Sequence, residues 1–382
     1  MSTPMPSSQK KSNSDQEKST ILFLGKLPPP YIGPSVACQI ILNSKLKDEF
    51  NLIHIDLSDH RDISTLGKID FGNFYLAFKQ YYSLYKNLRK HRDAMVYVPA
   101  GQTTVGYTRD AVFIVLAKLF GRKVITHLRG GNFLKWYNSA PGFAKWIVRK
   151  VHPKVNAQIV LGNNLRHLFN WLIPDKNIHV IPNGGNYTIP TVPKSGEKVR
   201  ILYLGNFIGT KGVLETLYSI DYLKDIVDKI EFVFAGSWRD DETRKAFLQF
   251  KEEHPELPIT MAGSVSGNPK FELLAGSDIF VFPTYYPNEG HPWVIVEAMA
   301  AGLPVITTDH AAISESVKEN ENGFLVEKKS AEAVAAKIRF LVEHPDQRKA
   351  MGIKSREMYV NGFTQDIMIE RLARVFREVA AQ

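Results

Sequence analysis

The stretch Pro283-Thr-Tyr-Tyr-Pro-Asn-Glu-Gly-His-Pro-Trp-Val-Ile-Val-Glu-Ala-Met-Ala-Ala-Gly302 sets two carboxylates, Glu289 and Glu297, around the start of a helix. Ahead of it, Asp278-Ile-Phe-Val-Phe282 is a continuous apolar run with the length and bulk of a buried parallel strand. Behind the loop, Val294 to Ala301 reads as a helix, with Pro292 suited to its first position and Gly302 to its stop. Leu303-Pro-Val-Ile-Thr-Thr308 is the next strand. In open parallel sheets ligands bind where the carboxyl ends of strands meet helix N-termini. The helix dipole favours an anion there, and carboxylates on either side accept hydrogen bonds from vicinal hydroxyls. A phosphate flanked by sugars, as in a nucleotide sugar, has that shape.

The spacing of Glu289 and Glu297, together with Gly290 and the stop Ala301-Gly302-Leu-Pro-Val305, resembles the signature of retaining glycosyltransferases of family 4, which have the GT-B fold. The resemblance implies that Glu289 contacts the donor sugar and Glu297 the nucleotide ribose. As lone residues, Glu289 would be a solvated loop acid and Glu297 a helix-surface charge, but Glu297 lies in an almost wholly apolar helix. Where the family often has Phe-Gly, this chain has His291-Pro292-Trp293, and Pro292 has no N–H to offer a phosphate.

At 382 residues, 44% of them hydrophobic, the chain exceeds one ordinary core and is expected to form two domains. A single cysteine, Cys38, excludes an internal disulfide framework and suits a reducing compartment. No apolar run has the length of a bilayer span, and residues 1–19 read as a polar, disordered tail without a signal peptide. Charge is unevenly divided: residues 1–198 carry +15 and residues 199–382 carry −6. The basic half suits a polyanionic or lipid-phosphate partner or an anionic leaflet, and the expected location is the cytoplasm or the inner membrane face. Phe143 to Lys154 interleaves basic and apolar residues and is a candidate for lying at a membrane surface, although for any one segment a packed helix with its charges solvated is the better reading. Nucleic acid is not expected as a partner.

Strand and helix patterns alternate along the chain. In the first half, strands are expected at Ile21–Gly25, Asn51–Asp56, Ala94–Val98, Lys123–Thr126, Ala157–Leu161 and Ile178–Ile181. Helices are expected from Pro34 onward and over 74–90, 110–120, 142–151 and 164–172. A second series starts at Val199, with strands at Ile230–Ala235 and Ile259–Met261. This order predicts an α/β fold of two Rossmann-like, doubly wound domains facing a cleft. The boundaries are an N-terminal acceptor-side domain over 20–187, a linker over 188–198 and a nucleotide-sugar domain over 199–364. A final helix over 365–382 crosses back to the first domain, as GT-B proteins do.

Further candidates follow from the resemblance. Gly33 matches the family's glycine loop beside the donor phosphates, and His127 matches the histidine beside the reacting carbon. In Gly205-Asn-Phe-Ile-Gly-Thr-Lys-Gly212, Lys211 matches the lysine that reaches the diphosphate, while Asn206 replaces an arginine. Arg129 is a candidate anion contact that would compensate. The segment around Val265 matches the nucleobase site. Lone readings of His127 and Lys211 are a structural histidine and a solvated loop lysine.

There is no Gly-x-Gly fingerprint, no Walker loop and no Asp-x-Asp pair, and Cys and His are too sparse for a zinc site. No metal or other cofactor is therefore expected. The reading is a metal-independent retaining hexosyltransferase moving sugar from a UDP- or GDP-sugar to a lipid-linked or polysaccharide-precursor hydroxyl. The alternatives are a nucleotide-sugar 2-epimerase of the same architecture and a non-catalytic donor-binding subunit.

Overall fold

Strand runs that are apolar on both faces close into two parallel sheets. The computed structural model describes residues 18–29, 31–58, 71–193 and 196–382, with backbone alone for 71–74. The expected tail over 1–19 lies almost wholly outside the described residues, as do positions 194 and 195 of the expected linker.

The first sheet contains β1 (Thr20–Gly25), β2 (Asn51–Asp56), β3 (Met95–Pro99), β4 (Val124–His127), β5 (Ala157–Val160) and β6 (Ile178–Val180), in the order β2-β1-β3-β4-β5-β6. The second contains β7 (Val199–Leu204), β8 (Ile230–Ala235), β9 (Ile259–Gly263), β10 (Ile279–Phe282), β11 (Val305–Thr308) and β12 (Gly323–Val326), in the order β12-β11-β10-β7-β8-β9. Every pairing is parallel. Strand order reverses between β1 and β3 and between β7 and β10, which leaves a crevice at each switch point.

Both faces of the first sheet are covered. Along β1, Leu22 and Leu24 join a core with the helices Phe71–Lys90, Thr104–Leu119 and Gly142–Val151. The alternate residues Ile21 and Phe23 pack on the other face with the helix Gly33–Leu42. That second face is completed by the last helix, Gln365–Ala381, which inserts Met368, Ile369, Leu372, Val375, Phe376 and Val379. Its seam repeats at 3.6-residue spacing, and each such side chain buried is worth about 1.5–3 kcal/mol.

The helix after β10 runs Trp293–Ala300, with Pro292 as the residue before it rather than its first. Pro292 keeps an extended ψ of 127°, so the turn starts one position later than the proline rule suggests. Gly302 ends it in the left-handed region at φ 71°. The helix expected over 164–172 is a 3-10 segment, Asn163–Leu168, because Pro174 soon follows and the chain must turn into β6. Strand β12 was not expected; its four residues follow a polar turn and are too few to stand out.

Gly212 decides the loop after β7. Its φ of 80° is left-handed, and a Cβ there would lie 2.5 Å from the Pro283 carbonyl oxygen at the end of β10. Gly212→Ala is expected to cost about 2 kcal/mol or more, from left-handed strain plus the displaced loop. A urea unfolding midpoint unchanged by this substitution would contradict the close approach.

Candidate active site

The carboxyl ends of the two sheets meet. A Cβ on Gly131, in the loop after β4, would collide with the Glu289 carbonyl oxygen, and one on Gly290 would lie 3.1 Å from Gly130 Cα and 3.2 Å from the Arg129 carbonyl oxygen. Glycine at 130, 131 and 290 permits backbone-to-backbone contact between halves. Gly33 meets Trp293 in the same way, its Cβ position 3.4 Å from the indole Cδ1.

On the second-half side, Lys211 Nζ lies 3.4 Å from Glu289 Oε2, and both side chains are mostly buried. Thr284 Oγ1 donates to the same carboxylate oxygen at 3.3 Å. The ammonium also sits 5.2 Å from the Tyr286 ring centre and 5.7 Å from that of Phe282, which steers it toward the cleft end of β10. The Tyr203 hydroxyl anchors the loop by donating to the carbonyl oxygens of Lys211, at 3.3 Å, and Asn206, at 3.4 Å.

Glu297 is 7% exposed, and its Oε1 lies 2.5 Å from Lys270 Nζ. Burial raises its pKa, against which Lys270 pulls downward. Lys270, on the helix Asn268–Ala275, was not legible as a site residue, since nothing local links it to an acid in another element. Val265 lies between two left-handed glycines, Gly263 and Gly267, and packs on the edge of the second core.

The cation beside Asn206 is Arg239, whose Nε lies 3.5 Å from Asn206 Oδ1. Its position just past the end of β8, where parallel sheets collect function, was the signal available in the sequence. Arg129 stands elsewhere, with the first sheet: its Nη1 donates to Asn183 Oδ1 at 3.1 Å, and its buried Nη2 has no hydrogen-bond partner among the described residues. Asn183 in turn donates to the His291 carbonyl oxygen at 2.7 Å, so one buried amide joins Arg129 to the Glu289 loop. The His291 ring is buried and stacks on Phe363 with centroids 5.4 Å apart; burial depresses its pKa to about 4.

His127 ends β4 and is 2% exposed. Its Nδ1 lies 2.7 Å from the Tyr97 hydroxyl, whose pKa burial pushes up to about 12. Where the neutral Tyr97 hydroxyl donates to Nδ1, the neutral imidazole carries its proton on Nε2. Nε2 is buried with no partner among the described residues, leaving a donor for a ligand oxygen. Burial first, and Arg129 second, hold the His127 pKa well below its ordinary value. His127 is therefore neutral across physiological pH. The expected pH–rate profile has no inflection from it near 6.5, the ordinary histidine value; an inflection there that disappears in His127→Gln would contradict the assignment.

His127 and Arg129 also line a cavity of about 270 Å³ at the first switch point, together with Lys26, Ser35, Gln102 and Arg109. No group of three or more His, Cys, Asp or Glu placed to hold a metal ion occurs among the described residues.

Comparison with known proteins covers the second-half side of this site. The family model described as "Glycosyl transferases group 1" matches residues 189–358. The capsular polysaccharide biosynthesis glycosyltransferase CapM of Staphylococcus aureus is 28% identical over 46% of this chain and 44% of its own length. The N,N'-diacetylbacillosaminyl-diphospho-undecaprenol alpha-1,3-N-acetylgalactosaminyltransferase of Campylobacter jejuni is 27% identical over 48% of this chain and 46% of its own. The matched stretch thus spans less than half the length of these relatives. Among solved structures, a glycosyltransferase from Rickettsia africae superposes with a TM-score of 0.74 over 95% of this chain and 99% of that one, at 19% identity. Anabaena Alr3699/HepE in complex with UDP does so with a TM-score of 0.73 over 94% and 100%, at 14% identity. The chain thus has the two-domain GT-B fold, and its residues 189–358 match the family of glycosyl transferases group 1.

Proposed function

We propose that the chain is a metal-independent, retaining glycosyltransferase of family 4 that moves a hexose from a UDP- or GDP-sugar to a hydroxyl of a lipid-linked or polysaccharide-precursor acceptor. The observation that carries this reading is the Lys211–Glu289 pair at the β7/β10 switch point, held against the first-half loop that bears His127 and Arg129. The solved complexes of Anabaena Alr3699/HepE with UDP and with UDP-glucose, and the lipid diphosphate in the name of the Campylobacter relative, support the ligand classes.

In this reading the nucleotide lies along β9 and the helix after β10, near Val265, with its ribose hydroxyls donating to Glu297. The diphosphate faces Gly33, Asn206, Lys211 and the turn at Gly290 to Trp293, with Arg239 supplying a second positive charge. Glu289 accepts hydrogen bonds from the sugar's hydroxyls, and the His127 Nε2–H donates to an oxygen near the reacting carbon. The acceptor hydroxyl enters from the first-half cavity on the leaving group's side. The anomeric carbon–phosphate oxygen bond breaks, the bond to the acceptor oxygen forms, and the acceptor proton passes to the departing diphosphate. Retention follows because attack and departure share one face. Lys211 stabilises the charge that grows on the leaving oxygen.

The test is a panel of UDP- and GDP-sugars in EDTA, following nucleotide release with and without a polyprenyl-phosphate acceptor and determining the anomer formed. Release with one donor, lost in Glu289→Ala, with an anomer matching the donor's, is the expected result. An inverted product would overturn the same-face mechanism, and tight donor binding without turnover under any acceptor would favour a non-catalytic donor-binding role.

A further inference from the structure

The helix Phe71–Lys90 is apolar on two sides. One side buries Leu84 and Leu88 in the first-half core. The other presents Tyr75, Phe78, Tyr82 and Tyr85 to solvent at spacings of three, four and three, with Phe78 69% exposed. The helix Thr104–Leu119 packs between this helix and Gly142–Val151. It exposes Val105, Val112 and Leu119, one residue every two turns, and the third helix exposes Phe143 and Trp146. Three neighbouring helices on one side of the sheet therefore show apolar stripes outward. Isolated exposed side chains are ordinary, whereas a contiguous apolar face is a contact surface.

The charges around the stripes say what covers them. Lys79, Lys86, Arg89 and Lys90 are exposed on the first helix, and Arg149 and Lys150 on the third; neither helix contains an acid. Residues 71–155 hold fifteen Lys and Arg against two Asp and Glu. One of those two acids, Asp110, is buried and paired with Arg109 at 2.6 Å. A two-fold dimer through this face would press like charges together. A polynucleotide offers nothing for Val105, Leu119 or Phe78. An anionic bilayer satisfies both components at once, aromatic rings at the headgroup level and lysine and arginine among the phosphates.

We infer that the outer face of these three helices docks flat on an anionic lipid bilayer. Val105 opens the first turn of its helix, three residues after Gln102 of the cavity that holds His127. The docked face therefore reaches the rim of that cavity, so a headgroup-borne acceptor enters without leaving the membrane. The docking itself does not rest on the transferase reading and is measured without turnover.

The test uses the full chain and vesicles of phosphatidylcholine containing about one third phosphatidylglycerol, compared with phosphatidylcholine alone. Co-sedimentation with the anionic vesicles, released by raised salt, is expected. The variants Phe78→Ser/Tyr82→Ser/Trp146→Ser and Lys79→Glu/Lys86→Glu are each expected to lower the bound fraction at least about tenfold, while Tyr222→Ser, an exposed tyrosine of the second half, leaves it unchanged. Quenching of tryptophan emission by acyl-brominated lipid, reduced in Trp146→Phe, reads the same contact without relying on the folding of the multiple variants. Absence of sedimentation, equal sedimentation with neutral vesicles, or insensitivity to both sets of substitutions would overturn the inference. So would a concentration-dependent dimer, seen by ultracentrifugation, that the same substitutions dissociate.

Discussion

Lys211→Ala is expected to slow nucleotide release from the preferred donor by about 100- to 1,000-fold, the range seen when one preorganised charge-stabilising donor is removed from an active site. The side chain is 17% exposed, and its ammonium lies 3.4 Å from Glu289 and is steered by two aromatic faces, so its direction is fixed before any ligand arrives. Such a charge costs little reorganisation as negative charge develops on the leaving oxygen. Lys211→Arg is expected to recover little, because a planar fork does not occupy the place of a point charge packed between rings. Glu289→Gln is expected to be comparably damaging. The double variant should lose less than the product of the two single losses, because each residue orients the other. Steady-state rates with the donor identified by the panel provide the check. A loss under about tenfold in Lys211→Ala, or 1.4 kcal/mol, would remove the lysine from the chemistry.

Lys270→Met is the substitution with the largest expected effect on stability away from the cores. It leaves the Glu297 carboxylate buried in an apolar helix without its partner, and breaking a buried pair on one side costs about 3–5 kcal/mol. Lys270 is 22% exposed, so a loss near the lower figure, about 3 kcal/mol at neutral pH, is expected. The sign of the pH dependence follows from the carboxyl's raised pKa. A group raised on folding contributes stability below its unfolded pKa and loses that contribution as pH rises through the folded value. Removing Lys270 takes away the cause that lowers this pKa, so the deficit is greatest at neutral pH and shrinks as pH falls toward the ordinary glutamate range near about 4.3. Glu297→Gln in the same background should restore most of the loss at neutral pH. Urea titrations of the single and double variants at two pH values decide it. A deficit independent of pH would mean that Glu297 is not the group left stranded.

The sheets were legible because their strands are buried on both faces and therefore read as unbroken apolar runs, as at Ile279–Phe282. Strand β12 lacked that signal, being four residues behind Glu319-Asn-Glu-Asn322. The Lys211 loop and the Glu289 to Glu297 segment were legible because loop, glycine and helix start lie close together in sequence. What the sequence could not show were partners brought in from other elements. Lys270 meets Glu297 across 27 positions, and Asn183 meets His291 across 108. Arg239 carried the signal of its place just past β8, but its relation to Asn206 depends on β7 and β8 being neighbours. Arg129, the cation expected to compensate for Asn206, donates from its guanidinium to Asn183 on the first half.

The last helix has a consequence for anyone recombining this protein with a relative to exchange its second half. The main chain passes between the halves twice, once near residues 183–199 and again near Phe363 and Thr364, where Gly184 and Gly185 lie against it. A single splice in the first crossing would import a foreign tail along with the foreign second half. That tail would have to seat its own residues where Phe376 now contacts Phe50 and Tyr97, with Leu372 and Val379 in the same core. A second-half transplant should therefore be cut at both crossings, with residues 365–382 kept from the recipient, and the junctions placed beside Gly184 and Thr364.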